Sequence, residues 1–438
     1  MISSTIEGVE HRPHRVQRPA EPDLNHLLRS TFAVVLAGGR GSRLKQLTDH
    51  CAKPALPFAG QLRVIDFALA NCINSGLRRI GVLTQYKTQG LMRHIGRGYA
   101  FLDPRAGTCV EVVPAQQQTG EGWYSGTADA VFQNLGLLRE AASEHVLVLA
   151  GDQVCKLDCA RLLAEHVRRG ADVTVACIEV PLVQAREFGV VCADLDGHIT
   201  AFAEKPRHPS PAPGGGDRAL ASMGVYVFDT PFLVRALCRD AADPASSHDF
   251  GHDILPQAVR HARVFAHDFA ASCVNRAGER PYWRDVGTLD AYWEANMDLT
   301  RAHPELDLYD EDWPIHGVQP TLPPAKFVFD EEGRRGMALD SLVAAGCIVS
   351  GATVRRSVLF SNARVGDASL VEDSLLLPGA RVGRRVVLRR VIVESGCVVP
   401  DGMRVGLCPA EDAARFTVSE GGVTLVTAAM LARVAPQP

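Results

Sequence analysis

From about Leu342 onward, aliphatic residues return at every sixth position, and this period restricts the fold of the C-terminal part more than any other feature of the 438-residue chain. The positions are Ile348, Val354 and Phe360, then Val365, Val371 and Leu377, then Val393, Val399 and Val405, with small shifts of register between groups. A six-residue period predicts a left-handed parallel β-helix. Each short strand then forms one side of a triangular coil and sends its aliphatic residue into a stacked interior. Gly346, Gly351, Gly366, Gly379 and Gly383 fall where such a coil turns its corners. A β-sandwich of short strands is the alternative, but its strands alternate with period two.

The chain before this repeat alternates apolar runs with helical patterns. Phe32 to Leu44 is an apolar, partly β-branched run that breaks into Gly38, Gly39, Arg40, Gly41, Ser42 and Arg43, a strand emptying into a glycine-rich loop. Glycines let main-chain N–H groups approach a ligand, and arginines supply fixed positive charge, so the loop suits phosphate. It has neither the G-x-x-x-x-G-K-[ST] pattern of an NTPase loop nor a dinucleotide fingerprint, and a plain strand-to-helix turn also uses glycine. A helix is predicted from Phe67 to Ser75, with Asp66 as its N-cap and Gly76 ending it. Strands are predicted at 79–84 and 173–180 and near 190, 200 and 225, with helices from Thr127 through Leu138 and over 158–169. His145 to Ala150 reads as a central strand followed by Gly151 and Asp152, which places a carboxylate where open α/β sheets bind ligands. The strands between 173 and 228 are too closely spaced for helical crossovers throughout, so the sheet is expected to be mixed.

Residues 1–28 mix His, Arg, Pro and Glu without apolar periodicity and read as a disordered tail. The remainder divides into an α/β part over 29–320 and the β-helix over 321–438. A net charge of −4 gives no global attraction to nucleic acid or acidic membranes, so an anionic ligand must meet a local basic cluster. No apolar run reaches membrane-spanning length and no signal peptide is apparent, which points to a cytoplasmic protein. The twelve cysteines contain no CxxC pair and read as reduced, mostly buried thiols.

Four segments fall on one presumptive nucleotide site: the loop at 37–44, Lys53-Pro54, Gly126-Thr127-Ala128-Asp129 and Gly151-Asp152. With Glu204-Lys205-Pro206, Ser222-Met223-Gly224 and Trp283 through Thr288, they resemble the bacterial glucose-1-phosphate adenylyltransferases, from Thr31 to Leu431. Further matching stretches are Ile65 to Leu69, Pro114 to Gln117, Trp123-Tyr124, Ser247 to Gly251 and Leu322 to Phe327. The resemblance implies a Rossmann-like nucleotidyltransferase domain with a mixed, mostly parallel sheet. It also implies that the phosphate of glucose 1-phosphate attacks the α-phosphorus of ATP, giving ADP-glucose and pyrophosphate for α-glucan synthesis. By resemblance, Arg40 and Lys53 act on the departing pyrophosphate, Gly38, Gly39, Gln116 and Gly126 bind the nucleotide, and Asp152 and Asp285 hold Mg2+. Tyr124, Gly189, Glu204, Lys205 and Ser222 then contact glucose 1-phosphate. Taken alone, Asp152 and Asp285 could be turn or surface residues, and Glu204-Lys205 an exposed ion pair.

A transferase using UTP or dTTP is one rival, and a uridylyltransferase carrying an acetyltransferase β-helix another. No histidine follows His316 to act as a base for acyl transfer. A third rival, a non-catalytic regulatory subunit, is disfavoured by retention of Arg40, Lys53, Asp152 and Lys205. The family resemblance suggests a homotetramer with small-molecule effectors. Members activated by fructose 1,6-bisphosphate carry a basic pair before Ala-Lys-Pro and further arginines near the C-terminus. Here those positions are His50-Cys51, Ala428 and Ala432, while Arg389, Arg390, Arg415 and Arg433 remain as anion contacts for a smaller activator.

Overall fold

The computed structural model describes residues 23–39, 41–116, 123–275 and 280–434. Helix α1 (Leu24–Arg29) shortens the predicted tail: the Asp23 carboxylate accepts from the amides of Asn25 and His26, and Leu27 enters the main core at 4% exposure. One cap and one apolar anchor are enough to dock a single helical turn, and the polar composition around them hides it. Residues 1–22 of the predicted tail lie outside the described residues.

Apart from a short hairpin of Pro57–Phe58 with Leu62–Arg63, the strands of the first part are in chain order β1 (Thr31–Leu36), β2 (Arg79–Thr84), β3 (Cys109–Pro114), β4 (His145–Ala150), β5 (Gln153–Cys155) and β6 (Val173–Pro181). They are followed by β7 (Gly189–Ala193), β8 (Ile199–Glu204), β9 (Arg218–Asp229), β10 (Val264–Asp268) and β11 (Trp283–Asp285). Among the described residues nine of them form one sheet in the order β8-β7-β9-β4-β1-β2-β3, with β6 pairing β9 and β10. Strands β1 to β4 are mutually parallel, whereas β9 runs antiparallel to β4, β6 and β7. The mixed sheet is as expected. Its central strands are apolar on both faces because both faces are covered: Val34 and Val35 of β1 are both buried, in different core clusters. The chain passes from β1 to β2 and β3 on one side and returns to β4 on the other. The C-terminal edges of β1 and β4 therefore border a switch point, where the glycine loop and Gly151-Asp152 emerge.

Helix α2 (Ile65–Asn74) begins earlier than predicted and is not capped by Asp66. That carboxylate is fully buried in the first turn instead, 2.7 Å from the Arg63 amide, 2.6 Å from His94 Nε2 and 2.9 Å from the Tyr99 hydroxyl. A carboxylate can serve a helix start or an interior network, and three inward donors decide between them here. Gly76 does end the helix, with φ +85°. The helical stretch after Gly126 is divided into α3 (Thr127–Phe132) and a second segment, Leu135–Ala141. Between them, Asn134 donates to the Ala130 carbonyl and to the Tyr124 hydroxyl. Three further helices matter for the site: α4 (Cys159–Arg169), capped by Asp158, α5 (Thr230–Ala241) and α6 (Leu289–Asp298).

The repeat region forms a three-sided parallel β-helix, with in-register columns on each side. Val354, Val371, Leu388 and Val405 pair in succession, each seventeen residues after the last. Val349, Val365, Val382 and Val399 form a second column, and Leu359, Leu376 and Val393 a third. One corner is thus a residue tighter than a strict hexad allows, which is why the sequence period has to restart. The interior residue on the first side is Val349 rather than Ile348, and Phe360 and Leu377 face the α/β part instead of the coil interior. Gly346, Gly351 and Gly379 occupy left-handed corners, but so do Arg356, Asn362, Ala368, Asp373, Arg385 and Arg390. Gly366 and Gly383 are needed for space: a Cβ would lie 2.7 Å from the Gly383 carbonyl and 2.4 Å from Asp401 Oδ1, respectively.

The two parts share one apolar core. Leu44, Phe58, Phe67 and Tyr292 pack in the same cluster as Val358, Phe360, Leu375, Leu377, Ile392 and Leu425. Phe360 is fully buried in it. Phe360→Ala is expected to destabilise the chain by about 3–5 kcal/mol, the usual range for emptying a buried phenylalanine site. Urea unfolding followed by tryptophan fluorescence measures this, and a loss below about 1 kcal/mol would show that the shared core is loosely packed.

Candidate functional site

Lys53 opens a single 3-10 turn, Lys53–Ala55, with Pro54 fixing the backbone behind it. Its side chain is buried, and Nζ lies 2.9 Å from Asp152 Oδ2 and 2.5 Å from Asp285 Oδ1. Burial draws the ammonium pKa down, but the two carboxylates outweigh it and leave the pKa raised, so Lys53 is a cation. Asp152 arrives by way of Gly151, whose amide donates to the Leu36 carbonyl at the end of β1. A Cβ at Gly151 would meet that carbonyl at 3.0 Å, so glycine lets the loop pass close to β1. Asp285 arrives by a different route, because β11 pairs with β5 and sets Asp285 opposite Gln153. Two carboxylates converging on one cation form a donor set that suits a hard dication as well as an ammonium.

The glycine loop lies beside this cluster. Gly41 has φ +65°, and a Cβ there would sit 3.1 Å from both Lys53 Cβ and Thr48 Cγ2. Gly38 and Gly39 do not adopt left-handed angles, and a Cβ at Gly39 would meet nothing within 4 Å. Their lack of side chains leaves the loop surface open. Arg40 lies outside the described residues. Arg43 pairs with Glu187 at 2.8 Å, and both side chains are more than half exposed.

A second cluster forms where β8 ends. Glu204 pairs in register with Gly189, and a Cβ at Gly189 would fall 2.9 Å from Glu204 Oε2 and 2.5 Å from the Phe202 ring. Lys205 follows with φ +44°, its ammonium half-exposed and 3.4 Å from Glu204 Oε1. Ser222 is buried at a bulge in β9, with its Oγ 3.3 Å from the Gly224 amide and 3.5 Å from the Tyr226 hydroxyl. Burial pushes the Tyr226 hydroxyl pKa well up, so it stays protonated and accepts from Ser222.

On the other flank Gln116 stands exposed beyond the end of β3. The Tyr124 hydroxyl accepts from Asn134 at 2.9 Å. Gly126 is extended at the start of α3, and a Cβ there would lie 2.1 Å from the His248 carbonyl oxygen. Lys53, Asp152 and Asp285 are therefore in direct contact, and Gly189, Glu204 and Lys205 form a second contacting group. Residue-by-residue reading missed Asp249, which caps the helical turn Phe250–Ile254, and Trp283, whose indole donates to Gln153 at 3.1 Å. The match of Ser247 to Gly251 pointed at Asp249 without giving it a partner.

The strand-loop-acid arrangement at the switch point lies within residues 32–302, which match the family model described as Nucleotidyl transferase, and that match makes this part of the chain a nucleotidyl transferase domain. A GlmU-like C-terminal hexapeptide model matches residues 323–426. The chain is 56% identical over 415 residues to a glucose-1-phosphate adenylyltransferase of Dechloromonas aromatica, covering 94% of each. It is 59% identical to that of Paramagnetospirillum magneticum, covering 93% of this chain and 96% of the other. For that of Nitrosomonas europaea the identity is 57%, with 92% and 94% covered. The chain belongs to the glucose-1-phosphate adenylyltransferase family.

The two kinds of glycine give opposite expectations. Gly126→Ala must push back the backbone at 247–248 and should cost about 1–3 kcal/mol, visible as a lowered melting temperature. Gly39→Ala should leave melting unchanged and weaken nucleotide binding, which calorimetric titration of each variant with ATP would reveal. Equal melting losses in both would show that the loop is internally packed.

Proposed function

We propose that the chain transfers the adenylyl group of ATP to glucose 1-phosphate. A phosphate oxygen of the sugar phosphate forms the new bond to the α-phosphorus, the bond from that phosphorus to the β-phosphate oxygen breaks, and pyrophosphate leaves. ADP-glucose is the product, and α-glucan (glycogen) synthesis is the process it would feed. The observation that carries this reading is the contact of Lys53 with both Asp152 and Asp285 in a chain more than half identical to named adenylyltransferases. Bringing two polyanions together calls for charge neutralisation and in-line placement rather than a covalent intermediate.

In this reading Lys53 and Arg40 meet the departing pyrophosphate, and Gly38 and Gly39 let the loop backbone approach the phosphates. Gln116 and Gly126 face the adenine, since a glutamine amide can both donate and accept. Tyr124, Gly189, Glu204 and Ser222 contact the sugar, and Lys205 its phosphate. The donor set of Asp152 and Asp285, two partly exposed carboxylates with open sides, fits Mg2+ shared with phosphate oxygens and water. When bound, the ion supplies Lewis-acid stabilisation of charge on the phosphoryl oxygens. No group of three or more His, Cys, Asp or Glu suited to a metal exists among the described residues, so a metal here would rest on this carboxylate pair and its substrate. All twelve cysteines are free thiols, and the proposed setting is cytoplasmic. No helix among the described residues is long and apolar enough to cross a membrane. The expected assembly is a homotetramer, which light scattering measures directly.

Incubating the chain with magnesium, glucose 1-phosphate and each NTP in turn, and measuring pyrophosphate, tests the reading. Release with UTP or dTTP in place of ATP would assign a different nucleotide, and no release with any would favour a regulatory subunit. Asp152→Asn keeps the shape of the side chain and removes one charge. It should lower kcat by about 100-fold or more with the melting temperature unchanged, and near-normal kcat at saturating magnesium would contradict the assignment.

For regulation, the proposed reading is an activator other than fructose 1,6-bisphosphate, such as fructose 6-phosphate or a small carboxylate. His50, Cys51, Ala428 and Ala432 do not supply the charge a bisphosphate needs. Three of the remaining arginines are engaged: Arg389 pairs with Glu372 at 2.8 Å, Arg415 with Asp412 at 3.0 Å, and Arg390 stacks 4.4 Å from the Trp293 ring centre. Titrating these metabolites against initial rate at subsaturating ATP checks this. Strong micromolar activation by the bisphosphate alone would refute it.

A further inference from the structure

Helix α3 begins without a side-chain cap, because its N-cap is Gly126. Its first amides are satisfied by a residue far along the chain: Ala128 N and Asp129 N both donate to the carbonyl of His248, at 2.9 and 3.3 Å. His248 holds that carbonyl in place from a left-handed backbone, φ +57°, which a histidine does not adopt without cost. Its anchor is visible. Ring Nδ1 lies 2.9 Å from Oδ2 of Asp240, a 5% exposed carboxylate at the end of α5. The other oxygen of Asp240 accepts from Ser246 Oγ at 2.6 Å, and that hydroxyl accepts from the His248 amide at 2.9 Å. Asp240 thus fixes both the ring and the backbone of His248.

The next residue carries the same constraint to the other cluster. Asp249 Oδ2 accepts from Thr127 Oγ1 at 2.9 Å, and the same hydroxyl accepts from the Phe250 amide at 3.0 Å. Asp249 Oδ1 accepts from the Gly251 amide at 2.8 Å, and Gly251 backs directly onto Glu204, where a Cβ would fall 2.5 Å from Oε2. One short segment therefore fixes the start of α3 and the back of the Glu204 carboxylate together.

We propose that His248 is a positioning residue for both substrates. Anchored by Asp240, it holds the strained turn whose carbonyl caps α3 beside the nucleotide segment and whose following residues seat Glu204 at the sugar. This rests on the reading that Gly126 faces the nucleotide and Glu204 the sugar.

Three substitutions separate the ring anchor from the backbone angle. Asparagine accepts a left-handed φ and offers an amide N–H toward Asp240, glycine accepts the angle but offers no donor, and alanine does neither. His248→Ala should raise KM for ATP and for glucose 1-phosphate together, each by about tenfold, with kcat reduced less than about threefold. His248→Gly should fall between, and His248→Asn should restore both KM values to within about threefold of wild type. Hydrogen exchange on the full chain supplies a readout independent of turnover: the amides of Ala128 and Asp129 should lose protection in His248→Ala while those of α4 keep it. Unchanged KM values in an active His248→Ala chain, even with a lowered melting temperature, would reduce the residue to a structural role and overturn the proposal alone. His248→Asn no better than His248→Ala would overturn the ring anchor. A wild-type chain that releases no pyrophosphate from these substrates would overturn the functional reading and this proposal with it.

Discussion

A single buried ammonium ties together three parts of the chain that are remote in sequence. Lys53 stands on a short turn after the glycine loop, Asp152 at the exit of a central strand, and Asp285 on a strand outside the main sheet. Burying an ion costs several kcal/mol unless close partners repay it, and Lys53 has two at hydrogen-bond distance. The carboxylates are 32% and 23% exposed and so keep part of their hydration, whereas the ammonium at 7% keeps almost none. The cluster therefore depends on Lys53 being charged, and the two carboxylates share a site only because it is. The convergence that gives the site its chemistry is also what fixes β5 and β11 against the end of β4.

Helix α6 extends this constraint into the β-helix. It starts just beyond Asp285, and successive residues on it grip the coil or its supports. Asp290 accepts from Ser419 at 2.5 Å, Trp293 donates to the Asp373 carbonyl at 2.8 Å, and Tyr292 donates to the Pro57 carbonyl. From the other direction, Thr417 donates to Gln46 at 3.1 Å, in the helical segment that follows the glycine loop. Both sides of the Lys53 cluster are thus one element away from the coil. A core shared between Phe67, Tyr292, Phe360 and Leu377 makes that attachment a packed one rather than a tether.

Features set by local pattern were legible in the sequence. Strands β1, β2 and β4 fall where apolar runs put them, Gly76 ends α2, and Asp152 emerges at the sheet edge. Features set by which partner wins were not. Asp66 could cap a helix or join an interior network, and only the approach of His94 and Tyr99 decides that. The hexad gave the coil but not its register, because a corner tightened by one residue moves the interior position from Ile348 to Val349. Lys53 was legible as a cation near the glycine loop, but its two carboxylate partners lie 99 and 232 residues away, beyond any local pattern. Gly126 and Gly251 look alike in sequence, yet each is required by a different neighbour, the His248 carbonyl and the Glu204 carboxylate.

Charge within the site bears on how it could receive two anionic substrates. Among the described residues assigned to substrates or metal, Asp152, Asp285 and Glu204 carry negative charge against Lys53 and Lys205. Each ammonium is already partnered, Lys53 by two carboxylates and Lys205 by Glu204 at 3.4 Å. Arg43 adds nothing net, since Glu187 cancels it. A chain with a net charge of −4 offers no compensating field from elsewhere. Phosphates entering such a site need positive charge from outside this set, and the proposed reading offers two sources. Arg40 on the glycine loop is one. A dication taken by Asp152 and Asp285 is the other, and it would release Lys53 from both carboxylates and make its ammonium available to a phosphate. On this view the ion pair of Lys53 and its proposed role at the pyrophosphate do not conflict: the two carboxylates hold the ammonium in position, and a dication held by Asp152 and Asp285 would leave that ammonium free for a phosphate.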